Sequence, residues 1–244
     1  MPATPAWPPK STPRLFVEQA LAEGQDVAIS GGAAHYLLGV MRLKVGAPVI
    51  LFDDQTGDYL AHVTNAGKRD LTLSVAQRLR EREPVPDIWL CQALIKKDRF
   101  DWIAEKACEL GAARFVPLLT ARCVVDKVKE DRLRAHMIEA AEQCERTALP
   151  EIAPLAKLDA LLRDWPSERT LYFCDERGGA PFGSAITAGP AALLIGPEGG
   201  FTDQEVAQAV EAGIQPMAWP GTILRIETAA IVFSTLLLSR RNES

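Results

Sequence analysis

Apolar residues fall into two textures along the chain. From Arg14 to about residue 80 they come as short runs that suit strands, at Arg14–Val17, Val27–Ile29 and Val49–Phe52. The last run leads into Asp53–Asp58, a turn-rich stretch holding Gly57. Tyr59–Val63 and Leu71–Val75 then alternate apolar with polar or small residues, the two-residue period of a half-buried strand. One helical piece, Ala33–Leu43, interrupts them. Short strands around one helix predict a small antiparallel barrel.

At Pro84 and Pro86 the texture changes, and Glu83–Asp87 reads as a linker. Beyond it, apolar runs alternate with amphipathic stretches. Ile88–Ile95 is a strand. Arg99–Leu110 is a helix with Ile103, Ala107 and Leu110 on one face and Gly111 as its stop. Phe115–Leu119 is the next strand, and residues 131–148 read as a further helix. Leu171–Cys174 and Ala191–Ile195 are strands; Thr202–Ala212 and Thr228–Ser239 are helices. Strands alternating with helices predict a parallel α/β sheet. The chain therefore divides into a proline-rich lead-in over 1–13, a β-barrel domain over 14–83 and an α/β domain over 84–244. The lead-in lacks the apolar core of a signal peptide.

Composition narrows the function classes. Of 244 residues, 48% are hydrophobic, enough for a core, yet no run of about 18 apolar residues predicts a membrane span. The net charge of −5 neither demands nor forbids nucleic acid, because a basic face can sit on an acidic protein. The five cysteines, Cys91, Cys108, Cys123, Cys144 and Cys174, are odd in number and form no C-x-x-C pair. With His35, His62 and His136 scattered, no metal site is expected, and reduced thiols point to the cytoplasm.

Two loops carry the candidate chemistry. Ala191–Ile195 runs into Gly196-Pro197-Glu198-Gly199-Gly200-Phe201 and then Thr202-Asp203-Gln204-Glu205-Val206. Thr202 and Glu205 spell a capping box, with Phe201 and Val206 placed as a hydrophobic staple. A tight glycine turn at the end of a buried strand brings bare backbone to a ligand, and a side chain at Gly199 would intrude there. An ordinary strand-to-helix turn has the same spelling. The loop lacks the G-K-[S/T] of a P-loop, and its glycines do not fit G-x-G-x-x-G. The second loop runs from Trp219 to Ile226 and precedes the almost wholly apolar Ile231–Leu238, which must be buried in the core or against another subunit. Arg225 and Glu227 stand just before that run, either as a structural ion pair or as a site for an anionic or ionisable substrate.

At these loops a family resemblance emerges. LLIGPEGGFTDQEV and ILRIETAA resemble the signatures of RsmE-type SPOUT methyltransferases, which methylate N3 of a uridine in 16S rRNA. HYLLGVMR over 35–42, KACELG over 106–111 and EAAEQCER over 139–146 resemble three further motifs of that family, in the same order. The resemblance implies a SPOUT-type parallel-sheet methyltransferase domain with a deep trefoil knot, preceded by a PUA-like β-barrel that binds RNA. It implies S-adenosylmethionine as cofactor, 16S rRNA in a small subunit or its precursor as substrate, and a homodimer.

The same resemblance assigns the cofactor to Leu194, Ile195, Gly196, Glu198, Gly199, Gly200, Trp219, Gly221, Thr222, Leu224 and Arg225. Arg225 would stabilise the uracil or its phosphate, and Glu227 would take the N3 proton or orient Arg225. Arg14, Arg42, Lys44, Lys96 and Arg122 are candidate RNA contacts, with Lys68 and Arg69 adding to a basic barrel face. One position departs from the pattern. Thr222 stands where the family has an arginine, a loss that Lys96, Lys97 or Arg122 would have to make good. Rival readings are a SPOUT methyltransferase acting at another RNA site and a non-catalytic RNA-binding assembly factor.

Overall fold

A computed structural model describes residues 12–174, 177–181, 186–187, 189–219 and 221–239. The lead-in assigned to 1–13 falls almost wholly outside them, as does Pro220. The described chain forms two compact units, divided at Pro84, with Glu142–Ala148 counted in the first.

The first unit is built on β1 (Arg14–Phe16), β2 (Asp26–Ser30), α1 (Gly31–His35), β3 (Pro48–Phe52), β4 (Gly57–Ala66) and β5 (Asp70–Glu81). Its sheet has the order β1-β3-β4-β5-β2. The pairs are antiparallel except for β1, which runs parallel to β3. The long crossover through β2 and α1 allows that direction. Alternation works as the sequence predicts: Val27 and Ile29 of β2, and Leu71, Leu73 and Val75 of β5, point into one core with Leu37, Leu51 and Val63. The helix predicted over Ala33–Leu43 is α1 followed by a π-helical turn, Tyr36–Val40. It stops at Arg42, whose φ is +53°.

Asp53 fixes the turn between β3 and β4. Its buried carboxylate accepts from the Gln55 and Thr56 amides at 2.9 and 2.7 Å, the Thr56 hydroxyl at 2.6 Å and the Leu21 amide at 2.6 Å. Burial pushes its pKa up, but these bonds together outweigh it and hold the group below its ordinary value. Because the folded value is depressed, the stabilisation is present above the unfolded carboxylate pKa and is lost as pH falls through the folded one. Asp53→Ala should lower stability by about 2 kcal/mol near neutral pH and flatten the acid limb of a melting-temperature profile. An unchanged acid limb would remove Asp53 from this role.

The sequence predicts one helix over 131–148, but the helix ends at Cys144 and Glu145 takes φ +60°. The segment that follows is bonded to first-unit strands. Arg14 donates to the Arg146 carbonyl at 2.5 Å, Arg80 donates to the Glu145 carbonyl, and Glu83 and Thr147 exchange bonds of 2.8 and 2.9 Å. Arg14 is therefore corrected. It is buried, its guanidinium lies 2.6 Å from Asp58, and it stacks on Phe52 at 3.7 Å, so it presents no surface to a phosphate.

The second unit contains β6 (Ile88–Ala93), α2 (Lys97–Leu110), β7 (Arg114–Leu119), α3 (Glu130–Cys144, whose last turn is grouped with the first unit), β8 (Glu151–Ile152), β9 (Ala156–Lys157), α4 (Leu158–Arg163), β10 (Thr170–Cys174), β11 (Ala180–Pro181), β12 (Ala191–Ile195), α5 (Asp203–Glu211), β13 (Gln215–Ala218) and α6 (Ile226–Ser239). Its sheet has the order β11-β13-β10-β12-β6-β7-β8, with β9 also on β7, and every pair is parallel. Gly111 ends α2 at φ +88°, where its amide and that of Ala112 bond back to the last carbonyls. β12 lies between β10 and β6 and is buried throughout, which explains its unbroken apolar sequence.

Candidate active site

β10, β12 and β13 end side by side, and a cleft opens at their C-terminal edge, where parallel sheets bind ligands. Its volume is about 760 Å³, counting the part open to solvent. One wall is the loop after β12, another the loop after β13, and a third is the Ile226, Ala229 and Phe233 face of α6. Phe201 stacks edge-on against Phe173 at 4.7 Å, and Trp219 against Phe233 at 6.2 Å.

Local chemistry holds the first loop rigid. Glu205 Oε2 accepts from the Thr202 amide at 2.8 Å while Thr202 Oγ1 accepts from the Glu205 amide at 3.2 Å, completing the capping box read from the sequence. Glu205 Oε1 also accepts from the Ala121 amide at 2.7 Å, and Arg122 donates to the Gly199 carbonyl at 2.7 Å. The loop after β7 thus braces the loop after β12. Gln92, fully buried on β6, donates toward the Gly196 carbonyl at 3.5 Å.

Of the residues assigned to the cofactor, Ile195, Gly196, Gly200, Trp219, Gly221, Thr222 and Leu224 line this cleft. Leu194 does not; it is fully buried in β12. Glu198 and Gly199 lie outside the lining, Glu198 facing the Lys96 amide at 3.5 Å. Arg225 is exposed, and its carbonyl accepts from the Ala229 amide at 2.8 Å. Glu227 is not joined to Arg225; its Oε1 lies 3.9 Å from Arg99 Nε. The sequence reading missed Cys174, Pro197, Phe201, Met217, Ala218, Ile223, Ile226, Ala229 and Phe233. The three-and-four spacing of Ile226, Ala229 and Phe233 is the signal that would have found the α6 wall. Lys96 and Lys97 are exposed just after β6, while Arg42, Lys44, Lys68 and Arg69 are exposed in the first unit.

Residues 81–238 match the family model for an RNA methyltransferase domain. The chain belongs to the RNA methyltransferase family. Residues 29–76 match that family's PUA domain. Curated relatives agree. The ribosomal RNA small subunit methyltransferase E of Bacillus subtilis is 30% identical over 92% of this chain and 98% of its own length. That of Synechocystis is 32% identical, over 90% of this chain and 75% of its own. Among solved structures, the Neisseria gonorrhoeae enzyme of that name, bound to S-adenosyl methionine, superposes with a TM-score of 0.85 at 29% identity, over 94% of this chain and 98% of that one. The fold is that of these methyltransferases, a parallel α/β domain with a separate PUA-like sheet.

Proposed function

We propose that the protein transfers a methyl group from S-adenosylmethionine to N3 of a uridine in 16S rRNA. The observation that carries this reading is the cleft between the Gly196 and Trp219 loops, whose walls are apolar side chains and bare backbone rather than charges. Such walls suit an adenosine held by stacking and main-chain bonds. Ile195, Gly196, Gly200, Trp219, Gly221, Thr222 and Leu224 would hold it, with Leu194, Glu198 and Gly199 shaping the loop from behind. Calorimetry with S-adenosylmethionine tests this: saturable binding is expected, and no heat of binding would overturn it.

The bound cofactor supplies an electrophilic methyl on its sulfonium. The chain's own residues then have to align N3 with that methyl and stabilise the uracil as its weakly acidic proton passes to water. Arg225, exposed beside the cleft, meets the developing charge. Glu227 is mostly buried and faces Arg99 at 3.9 Å, so it supports the loop that carries Arg225 rather than taking the proton. The target base must be unpaired, since N3 lies on the Watson–Crick edge. Arg42, Lys44, Lys68, Arg69, Lys96, Lys97 and Arg122 contact phosphates, which position RNA without reading it. Lys96, Lys97 or Arg122 also makes good the charge missing at Thr222.

The reading extends to assembly. Ile223 is 81% exposed and Trp102 40%, and Ile231, Val232 and Leu236 are only half-buried on α6. A second copy covers that surface in a closed two-fold dimer. The chain carries the trefoil knot that the family resemblance implies and works in the cytoplasm, where small subunits are assembled. Light scattering should give the dimer mass at micromolar concentration. A monomer mass for active enzyme would contradict it.

A further inference from the structure

Glu227 sits in the first turn of α6, one residue beyond Ile226 of the cleft wall. One residue turns a helix by about 100°. Ile226, Ala229 and Phe233 therefore face the cleft while Glu227 faces the flank toward α2, a flank that continues into buried Ser234. Its side chain is only 15% exposed. Oε1 lies 3.9 Å from Arg99 Nε, and Oε2 is buried with no hydrogen-bond partner among the described residues. Removing the cation beside a carboxylate so placed leaves a poorly solvated charge without its partner, which is destabilising. The α6 N-terminus contributes part of that charge. Among the described side chains, Arg99 is the cation in ion-pair contact with it.

Arg99 is in turn well anchored. It belongs to the first turn of α2, and the next residue, Phe100, is buried with its ring edge-on to Phe115 at 5.4 Å. Ile103 and Ala104 bury the same helix on the sheet. Arg99 is thus tethered to a rigid element, whereas Glu227 belongs to the turn that continues the Trp219–Arg225 loop.

We propose that Arg99 is a positioning residue, which through Glu227 seats the start of α6 and so sets the Trp219–Arg225 loop on the cofactor cleft. The proposal rests on reading that loop as a cofactor loop. It predicts an effect on cofactor affinity more than on the chemical step.

The test uses the full-length protein and the variants Arg99→Ala, Arg99→Lys, Glu227→Gln and the charge exchange Arg99→Glu with Glu227→Arg. Amide hydrogen exchange over residues 221–230, without ligand, should rise in Arg99→Ala and in Glu227→Gln. S-adenosylmethionine affinity should weaken about tenfold in each. At saturating cofactor, the single-turnover methylation rate should fall much less. Arg99→Lys should recover part of the affinity and the charge exchange most of it. Arg99 is 45% exposed, so Arg99→Ala is expected to fold. Should it not, Arg99→Lys against the charge exchange decides alone, and equal affinity to wild type for Glu227→Gln would sink the proposal. Wild-type exchange over 221–230 in Arg99→Ala would overturn it. So would a loss of rate at unchanged affinity that the charge exchange does not repair, which would place Arg99 on the RNA instead. Were the wild-type protein not to bind S-adenosylmethionine, the cofactor reading would fall, while the exchange measurement would still decide whether Arg99 seats the start of α6 through Glu227.

Discussion

Replacing Gly196 by valine is expected to abolish S-adenosylmethionine binding, with affinity lowered by more than about a hundredfold. A Cβ at Gly196 would come within 2.6 Å of the Phe201 ring. That ring cannot retreat, because it is buried and stacked on Phe173. The loop itself would have to move, and it forms the cleft wall. Gly199, the residue singled out from the sequence, is more tolerant. A Cβ there meets only the stem of Arg122 at 3.2 Å, and Gly199 does not line the cleft. Gly199→Val should therefore weaken binding far less, by disturbing the Arg122 brace. Calorimetry on both variants, with circular dichroism as a check on folding, measures the difference. Equal, undiminished affinity in Gly196→Val would remove this loop from the cofactor site.

Arg225→Ala is expected to lower the single-turnover methylation rate by about a hundredfold to a thousandfold while leaving cofactor affinity unchanged. Arg225 is exposed at the end of the second loop, held there only through its backbone among the described contacts. It is therefore free to meet an incoming uracil or phosphate without stability being lost on its removal. Glu227→Ala separates two roles. A lost proton acceptor would cost about a hundredfold to ten-thousandfold in rate, partly recovered at higher pH where more uracil is already ionised. A lost support, the role proposed here, would show no such recovery. A wild-type rate in Arg225→Ala would end its assignment to the chemistry.

The parts of the fold that local rules determine were legible in advance. Ala191–Ile195 reads as a strand and is one, because a central parallel strand is apolar on both faces. The capping box at Thr202 and the glycine stop at Gly111 are encoded within a few residues, so spelling alone locates them. What was missed depends on distant partners. Gln215–Ala218 is a strand too short to announce itself, and it contains a proline. Arg14 looks like any surface arginine until Asp58 and the Arg146 carbonyl are brought to it. The return of Glu142–Ala148 to the first unit is likewise invisible in the local pattern. At the site, motif order named the two glycine loops, but the pairing of Glu227 with Arg99 joins residues far apart in the chain. Neighbouring Arg225 was the partner that spacing favoured.

The most direct measurement is nucleoside mass spectrometry of 16S rRNA, taken from small subunits that lack the modification and incubated with the purified protein and methyl-labelled S-adenosylmethionine. The label should appear in 3-methyluridine, at a single position when the RNA is cut into fragments, and should vanish with Gly196→Val. Label on ribose, on another base, or on no nucleoside at all would contradict the assignment of this protein as a uridine-N3 methyltransferase.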